Sequence, residues 1–232
     1  MKKKIIHVLC EGQTEQGFVE DVLKPYLLGL GVAAVKSVLI TTNKKKNARG
    51  GMLSYKQAET DISVLMKSNR DGDYQRNIFT TMFDFYALPT DFPEYLKAQK
   101  FVDPYLKVSE LEKAFASSIN DCRFIPYIQL HEFEALLFCG IEYLQMLYPG
   151  TSKKCDKLNE DLQKIGNPEL INNGPTTAPS KRIITAIEGN KNPSYSYNKP
   201  KTGRFVTKNI GIDKLRNECS HFNEWIERLL SC

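Results

Sequence analysis

The sequence predicts an α/β fold, with a mostly parallel sheet flanked by helices. Three observations point there. Short β-branched and apolar runs at 5–9, 35–40 and 78–83 alternate with segments whose apolar residues recur every three or four positions. The third run is nearly continuous, as expected of a strand covered on both faces. Two of the runs close on acids: the first passes through Cys10 into Glu11-Gly12-Gln13-Thr14-Glu15, and the third ends at Asp84. In an open parallel sheet both acids would share the edge where strands hand over to helices, the edge at which such sheets hold ligands.

Taken in order, Ile5-Ile6-His7-Val8-Leu9 reads as a buried strand. The lysines before it mimic an export signal, but the apolar run is interrupted by His7 and stops at Glu11. Acids beside the Gly12 turn could hold a divalent cation, or could simply favour the following helix N-terminus. Phe18, Val22, Leu23, Leu27 and Leu30 mark the buried face of that helix, which Pro25 should kink or bring to an end. Val35 to Ile40 is a second strand. Lys44-Lys45-Lys46 and residues 47–51 form a basic, glycine-containing loop, either a solvated surface or a grip for phosphate. Leu53 to Met66 suits a crossover helix with Ala58, Ile62, Leu65 and Met66 on one side.

After the strand ending at Asp84, residues 93–120 are expected to be mostly helical, with Leu106, Leu111, Ala114 and Phe115 turned inward. Arg123 to Leu130 gives another strand, which Pro126 places at or near a sheet edge. It leads through His131-Glu132-Phe133-Glu134 into Ala135-Leu136-Leu137-Phe138, a third strand end that carries acids. Ala135 occupies the place of the second histidine of a zinc-protease motif, so that motif is absent. His131 is either a hydrogen-bonded structural imidazole or a site residue.

Beyond Pro149 the character changes, which suggests a core over 1–150 and a basic loop region with a packing C-terminal helix over 151–232. Residues 167–179 read as a loop. Between Thr176 and Ile210 stand Lys181, Arg182, Lys191, Lys199, Lys201, Arg204 and Lys208, with Glu188 the one acid and Tyr195, Tyr197 and Phe205 interleaved. That composition suits phosphate contacts with aromatics available to stack on bases, or a solvated basic face. Leu215 to Leu230 closes the chain as a helix whose Phe222, Trp225, Ile226 and Leu229 face the core.

Composition narrows the classes. At 232 residues with 41% hydrophobic content, the chain is long enough for one α/β core with elaborations, and no apolar run reaches the length of a membrane span. The six cysteines include no CxxC pair, which argues against a zinc ribbon or a secreted disulfide framework and for a reducing cytoplasm. A net charge of +5 implies no partner by itself. The P-loop, the GxSxG elbow and the dinucleotide fingerprint are all missing.

With those segments in hand, the chain resembles domain-of-unknown-function family 4276, regarded as Toprim-like. The resemblance is carried by Cys10 to Glu15, by Phe83-Asp84-Phe85-Tyr86-Ala87-Leu88-Pro89, by Pro126 to Glu134, by Pro179-Ser180-Lys181-Arg182, and by Cys219 to Trp225. It implies a Toprim-like fold and a metal-dependent nuclease of the Glu-Gly-x-x-Glu type. Glu11, Glu15 and Asp84 would be catalytic metal ligands, with Glu132 or Glu134 completing the set around Mg²⁺ or Mn²⁺. Tyr86 stands where the pattern has a second aspartate, so one ligand comes from elsewhere or is lost. Lys181 would stabilise charge at the reacting phosphate, and Arg182, Lys199, Arg204 and Lys208 would hold nucleic acid, DNA or RNA. The resemblance further implies an anti-phage or toxin-like role beside an AAA- or ABC-type ATPase, and leaves room for a homodimer. The competing expectation is a catalytically degenerate binding or regulatory subunit of an ATPase complex.

Overall fold

A computed structural model describes residues 2–41, 52–172, 174, 176–189 and 195–232. The basic loop at 44–51 and Lys191 lie outside the described residues. The sheet is parallel, with β1 (Lys3–Cys10) at its centre, β2 (Ala34–Leu39) on one side, β3 (Gln75–Asp84) on the other, and the short β4 (Phe124–Ile125) beyond β3. A second short strand, β5 (Ile128–Gln129), pairs with the far end of β3, opposite Phe83 and Asp84. Pro126 explains the break between β4 and β5: it has no N–H to give the ladder, as its position at an edge requires.

Side chains alternate across the sheet, as the pleat demands. Ile6, Val8 and Cys10 of β1 and Ile78 and Met82 of β3 join one apolar cluster, while Leu9, Phe79 and Phe83 join the other. The first cluster is covered by α1 (Gln13–Phe18), α2 (Lys24–Gly29) and the C-terminal helices, the second by α3 (Tyr55–Ser68), the short α4 (Tyr95–Ala98) and α5 (Pro104–Ile119). The chain therefore crosses from β1 to β2 on one face and returns from β2 to β3 on the other. That reversal opens a crevice between the C-terminal ends of β1 and β3, the topological switch point of the sheet.

The helix after β1 contains a π-helical turn at Val19–Leu23 before it resumes to Gly29. Pro25 cannot donate to the carbonyl four residues back, and the widened turn absorbs the mismatch. Leu30 lies just past this helix and is 52% exposed, not buried as its spacing suggests. Leu106 is likewise 52% exposed, because the inward stripe of α5 runs through Val108, Leu111 and Phe115.

Residues 151–232 are more helical than a basic loop region with one helix. Following α6 (Ile141–Leu147), they hold α7 (Ser152–Ile165), α8 (Pro179–Glu188), α9 (Lys199–Ile210), α10 (Ile212–Glu218) and α11 (Ser220–Ser231), and their apolar residues join the cluster of β1. The closing helix is broken at Cys219, but Phe222, Trp225, Ile226 and Leu229 are all buried. Trp225 anchors this layer: its ring stacks on Tyr127 at 4.2 Å and its indole N–H donates to Thr80 Oγ1 on β3 at 2.8 Å. Among the described residues, no helix is long and apolar enough to cross a membrane.

Candidate functional site: an acidic rim at the switch point

Glu11 follows β1 directly and Asp84 is the last residue of β3, so parallel pairing sets them side by side. The Asp84 backbone N–H donates to Glu11 Oε2 at 2.9 Å. Glu15, in the first turn of α1, lies buried over the same end of the sheet, its carboxylate folded back against Gly12. From the other side comes the 3₁₀ segment Phe133–Gly140, whose first N–H, on Phe133, donates to Asp84 Oδ1 at 2.8 Å. This tether draws Glu134 into the group, fully buried.

One ammonium stands among these acids. Lys199 Nζ lies 3.0 Å from Glu134 Oε2 and 3.7 Å from Asp84 Oδ2. Its place follows from the start of α9. Asn198 caps the helix by accepting from the Lys201 N–H at 2.9 Å, and Pro200 fits the first turn, so Lys199 leads the helix into the rim. The helix itself crosses α1 at close range. A Cβ on Gly203 would sit 2.9 Å from Phe133 and Thr14, and one on Gly17 would collide with Arg204. Glycine at both positions lets the backbones approach. The Tyr197 hydroxyl adds a hydrogen bond to Glu134 Oε1 at 3.1 Å. Glu134 Oε2 faces the ammonium alone: among the described residues no other donor reaches it.

The electrostatics follow from crowding acids away from water. Burial pushes Glu11 up to about 7, with Glu15 adding to the rise. Burial likewise raises Glu134 to about 7, raises Glu15, and raises Asp84 well above the usual carboxylate range, the other acids reinforcing Asp84. Burial opposes the charge on Lys199, but Asp84, Glu134 and Glu15 outweigh it and hold the ammonium protonated. Four carboxylates face one ammonium, so full ionisation leaves three negative charges uncompensated.

The remaining residues named from the sequence lie around this rim. Glu132 accepts from the Ser180 N–H at 2.5 Å and the Ser180 hydroxyl at 3.1 Å, which commits it to the start of α8. Of the two alternative acids, Glu134 is therefore the one that joins Glu11, Glu15 and Asp84. Arg182 is tied to Asp161 of α7 and to the Thr177 carbonyl. Lys181 is exposed at the other edge of α8. Arg204 sits 3.8 Å from Asp21 and, with Lys201 and Lys208, lines an open cavity of about 510 Å³ beside α9. Lys199 belongs to the acids and not to this basic face. Tyr195 packs edge-on against Tyr148 and Tyr197 bonds to Glu134, so neither ring stands free for a base. His131 is buried, its backbone left-handed at φ 61°, its imidazole pushed down to about 4 by burial.

Carboxylate oxygens suit a hard divalent ion, and four carboxylates against one ammonium make the donor set a fitting one. As the side chains stand around Lys199, no three His, Cys, Asp or Glu side chains among the described residues close on a common metal position.

A family model matches residues 10–230, from the end of β1 almost to the C-terminus. The chain belongs to the domain-of-unknown-function family DUF4276. The match takes in all four rim acids and Lys199, so in this DUF4276 chain the site lies wholly inside the family's extent. No curated protein and no solved structure matches the chain.

Proposed function

We propose that this DUF4276 protein is a Mg²⁺- or Mn²⁺-dependent phosphodiesterase acting on nucleic acid, the effector of a bacterial defence or toxin-like system that works with a separate ATPase. One observation carries the reading: three buried carboxylates and the half-buried Glu11, from three distant stretches of chain, gather around one ammonium at the switch point of a parallel sheet. Such a group is unstable unless protons or a cation neutralise it. Glu11, Glu15, Asp84 and Glu134 would hold the ion. When bound, it supplies Lewis acidity toward a phosphoryl oxygen and water.

The chain's own groups provide the rest. Glu11, whose carboxyl burial pushes up to about 7 in the metal-free rim, gives up its proton when it holds the ion, which ties binding to pH. The Lys199 ammonium supplies fixed positive charge for the oxygens of the transferred phosphoryl group. Lys181, exposed on α8, holds a neighbouring phosphate. The test is incubation with plasmid DNA, single-stranded DNA and tRNA in Mg²⁺ or Mn²⁺, with and without the ATPase. Cleavage by the wild type should fall by about a hundredfold or more in Glu11→Ala and Asp84→Ala. Cleavage undiminished in both removes this site from consideration.

The lodging of Lys199 among the acids favours a second reading. With the ammonium as a permanent counter-ion, the rim would be a degenerate site in a binding or regulatory subunit of an ATPase complex. That subunit has no need of Mn²⁺, whereas the phosphodiesterase requires it.

A further inference from the structure

Helices α7 and α8 run side by side with a cleft of about 460 Å³ between them, lined by Lys153, Lys154, Lys157, Lys181 and Arg182. Asp161 is the acid in this cleft, and Arg182 occupies it. The four lysines are exposed, and among the described residues none of them lies within ion-pair distance of a carboxylate. Four unneutralised ammonium groups in one open cleft repel each other and favour a polyanion over any single charge. Thr176 and Thr177 add hydroxyl groups to the same wall.

Lys181 also lines a second cavity, of about 500 Å³, shared with Tyr86, Glu132 and Ser180. The two cavities therefore meet at this lysine. Tyr86 lies two residues beyond Asp84, and it is 41% exposed. It is held from behind: its N–H donates to the His131 carbonyl at 3.0 Å, and its ring lies 5.6 Å from the His131 imidazole. An anchored ring with an open face is a platform for a flat ligand. A row of lysines leading to such a platform matches successive phosphates followed by one unstacked base. A duplex keeps its bases stacked inside and cannot lay one on Tyr86.

We propose that the α7–α8 cleft and Tyr86 form a docking track for single-stranded nucleic acid that leads to the acidic rim. The track rests on the proposed phosphodiesterase reading for what happens at its end. Binding along it stands without cleavage.

The test is fluorescence anisotropy of the full chain in EDTA with a labelled single strand of about 20 nucleotides and with the matching duplex, over a range of salt. The wild type should prefer the single strand. Lys153→Glu/Lys154→Glu/Lys157→Glu should weaken it more than about tenfold and reduce the salt slope by about 2, at roughly 0.7 per phosphate contact. Tyr86→Ala should weaken the single strand by about tenfold and leave the duplex unchanged, with Tyr86→Phe keeping wild-type affinity. Lys67→Glu/Lys113→Glu, on α3 and α5 across the sheet, should bind as wild type, and circular dichroism should show every variant folded. The proposal is overturned if the wild type binds no single strand, if the triple variant binds normally, or if loss follows Lys201→Glu/Lys208→Glu instead. Binding as expected without any cleavage in Mn²⁺, both with and without the ATPase, leaves the track and removes the phosphodiesterase. Cleavage in Mn²⁺ without these binding effects does the reverse.

Discussion

Two groups of buried acids sit in this molecule, and they are built on opposite terms. Glu169 is fully buried and accepts from the backbone N–H groups of His221 and Phe222 at the start of α11, at 3.1 and 3.0 Å, and from the Tyr105 hydroxyl at 2.9 Å. Glu112 accepts from the Ile128 N–H at 2.8 Å and faces His221 Nε2 at 3.1 Å. Both are saturated by donors from several elements, and both fasten the C-terminal helices to the rest of the fold. At the rim, Glu11, Glu15, Asp84 and Glu134 gather around one ammonium, and among the described residues Glu134 Oε2 has no partner beyond that ion pair. Burial of an acid thus says little about function. What separates the two groups is whether the surroundings complete the acid's bonding.

The contrast is sharpest in the sign of a substitution. Glu169→Ala strands two helix-end N–H groups and a hydroxyl in the interior, and should cost about 4 kcal/mol in urea unfolding. Glu134→Gln keeps the acceptor for Tyr197 and removes one crowded charge. Without metal it should stabilise the protein by about 2 kcal/mol at pH 8. The pH dependence fixes the cause. A carboxylate whose folded pKa is raised to about 7 contributes stability that is fully present below its unfolded value, and loses it as pH rises through 7. The gain from Glu134→Gln should therefore shrink toward zero near pH 4. Glu11→Gln should follow the same course with a smaller gain, about 1 kcal/mol, because its carboxylate also accepts the Asp84 N–H. Should Glu134→Gln destabilise at pH 8 as Glu169→Ala does, the two groups of acids are alike and the distinction fails.

Much of the rim was legible in the sequence because it is encoded locally. An acid at the end of an apolar run marks a strand end, and parallel pairing then places Glu11 beside Asp84 without further information. Trp225 as a packing anchor follows from helical spacing in the same way. The role of Lys199 does not. Its position depends on the docking of α9 across α1, which rests on Gly17 and Gly203, and a lysine in a basic stretch looks like any other. The choice between Glu132 and Glu134 also needs three dimensions, since these acids flank Phe133 at the entry to a 3₁₀ turn and diverge toward Ser180 and Lys199. In sequence Arg182 looks like a free phosphate contact, because its partner Asp161 lies 21 residues away on a different helix. The basic lining of α7 is hidden in the sequence because its lysines are mixed with Asp156, Glu160 and Asp161.

The central claim is that the rim gathers more acid than its one ammonium can balance, and that a divalent ion takes the place of the protons that otherwise make up the difference. Its most direct test is Mn²⁺ binding to the full chain at pH 7.5, followed by electron paramagnetic resonance, for the wild type and for Glu11→Gln/Glu134→Gln. The account predicts binding by the wild type, weakened by about tenfold or more in the variant. Wild-type protein that leaves Mn²⁺ free, or a variant that binds it equally well, would contradict the account.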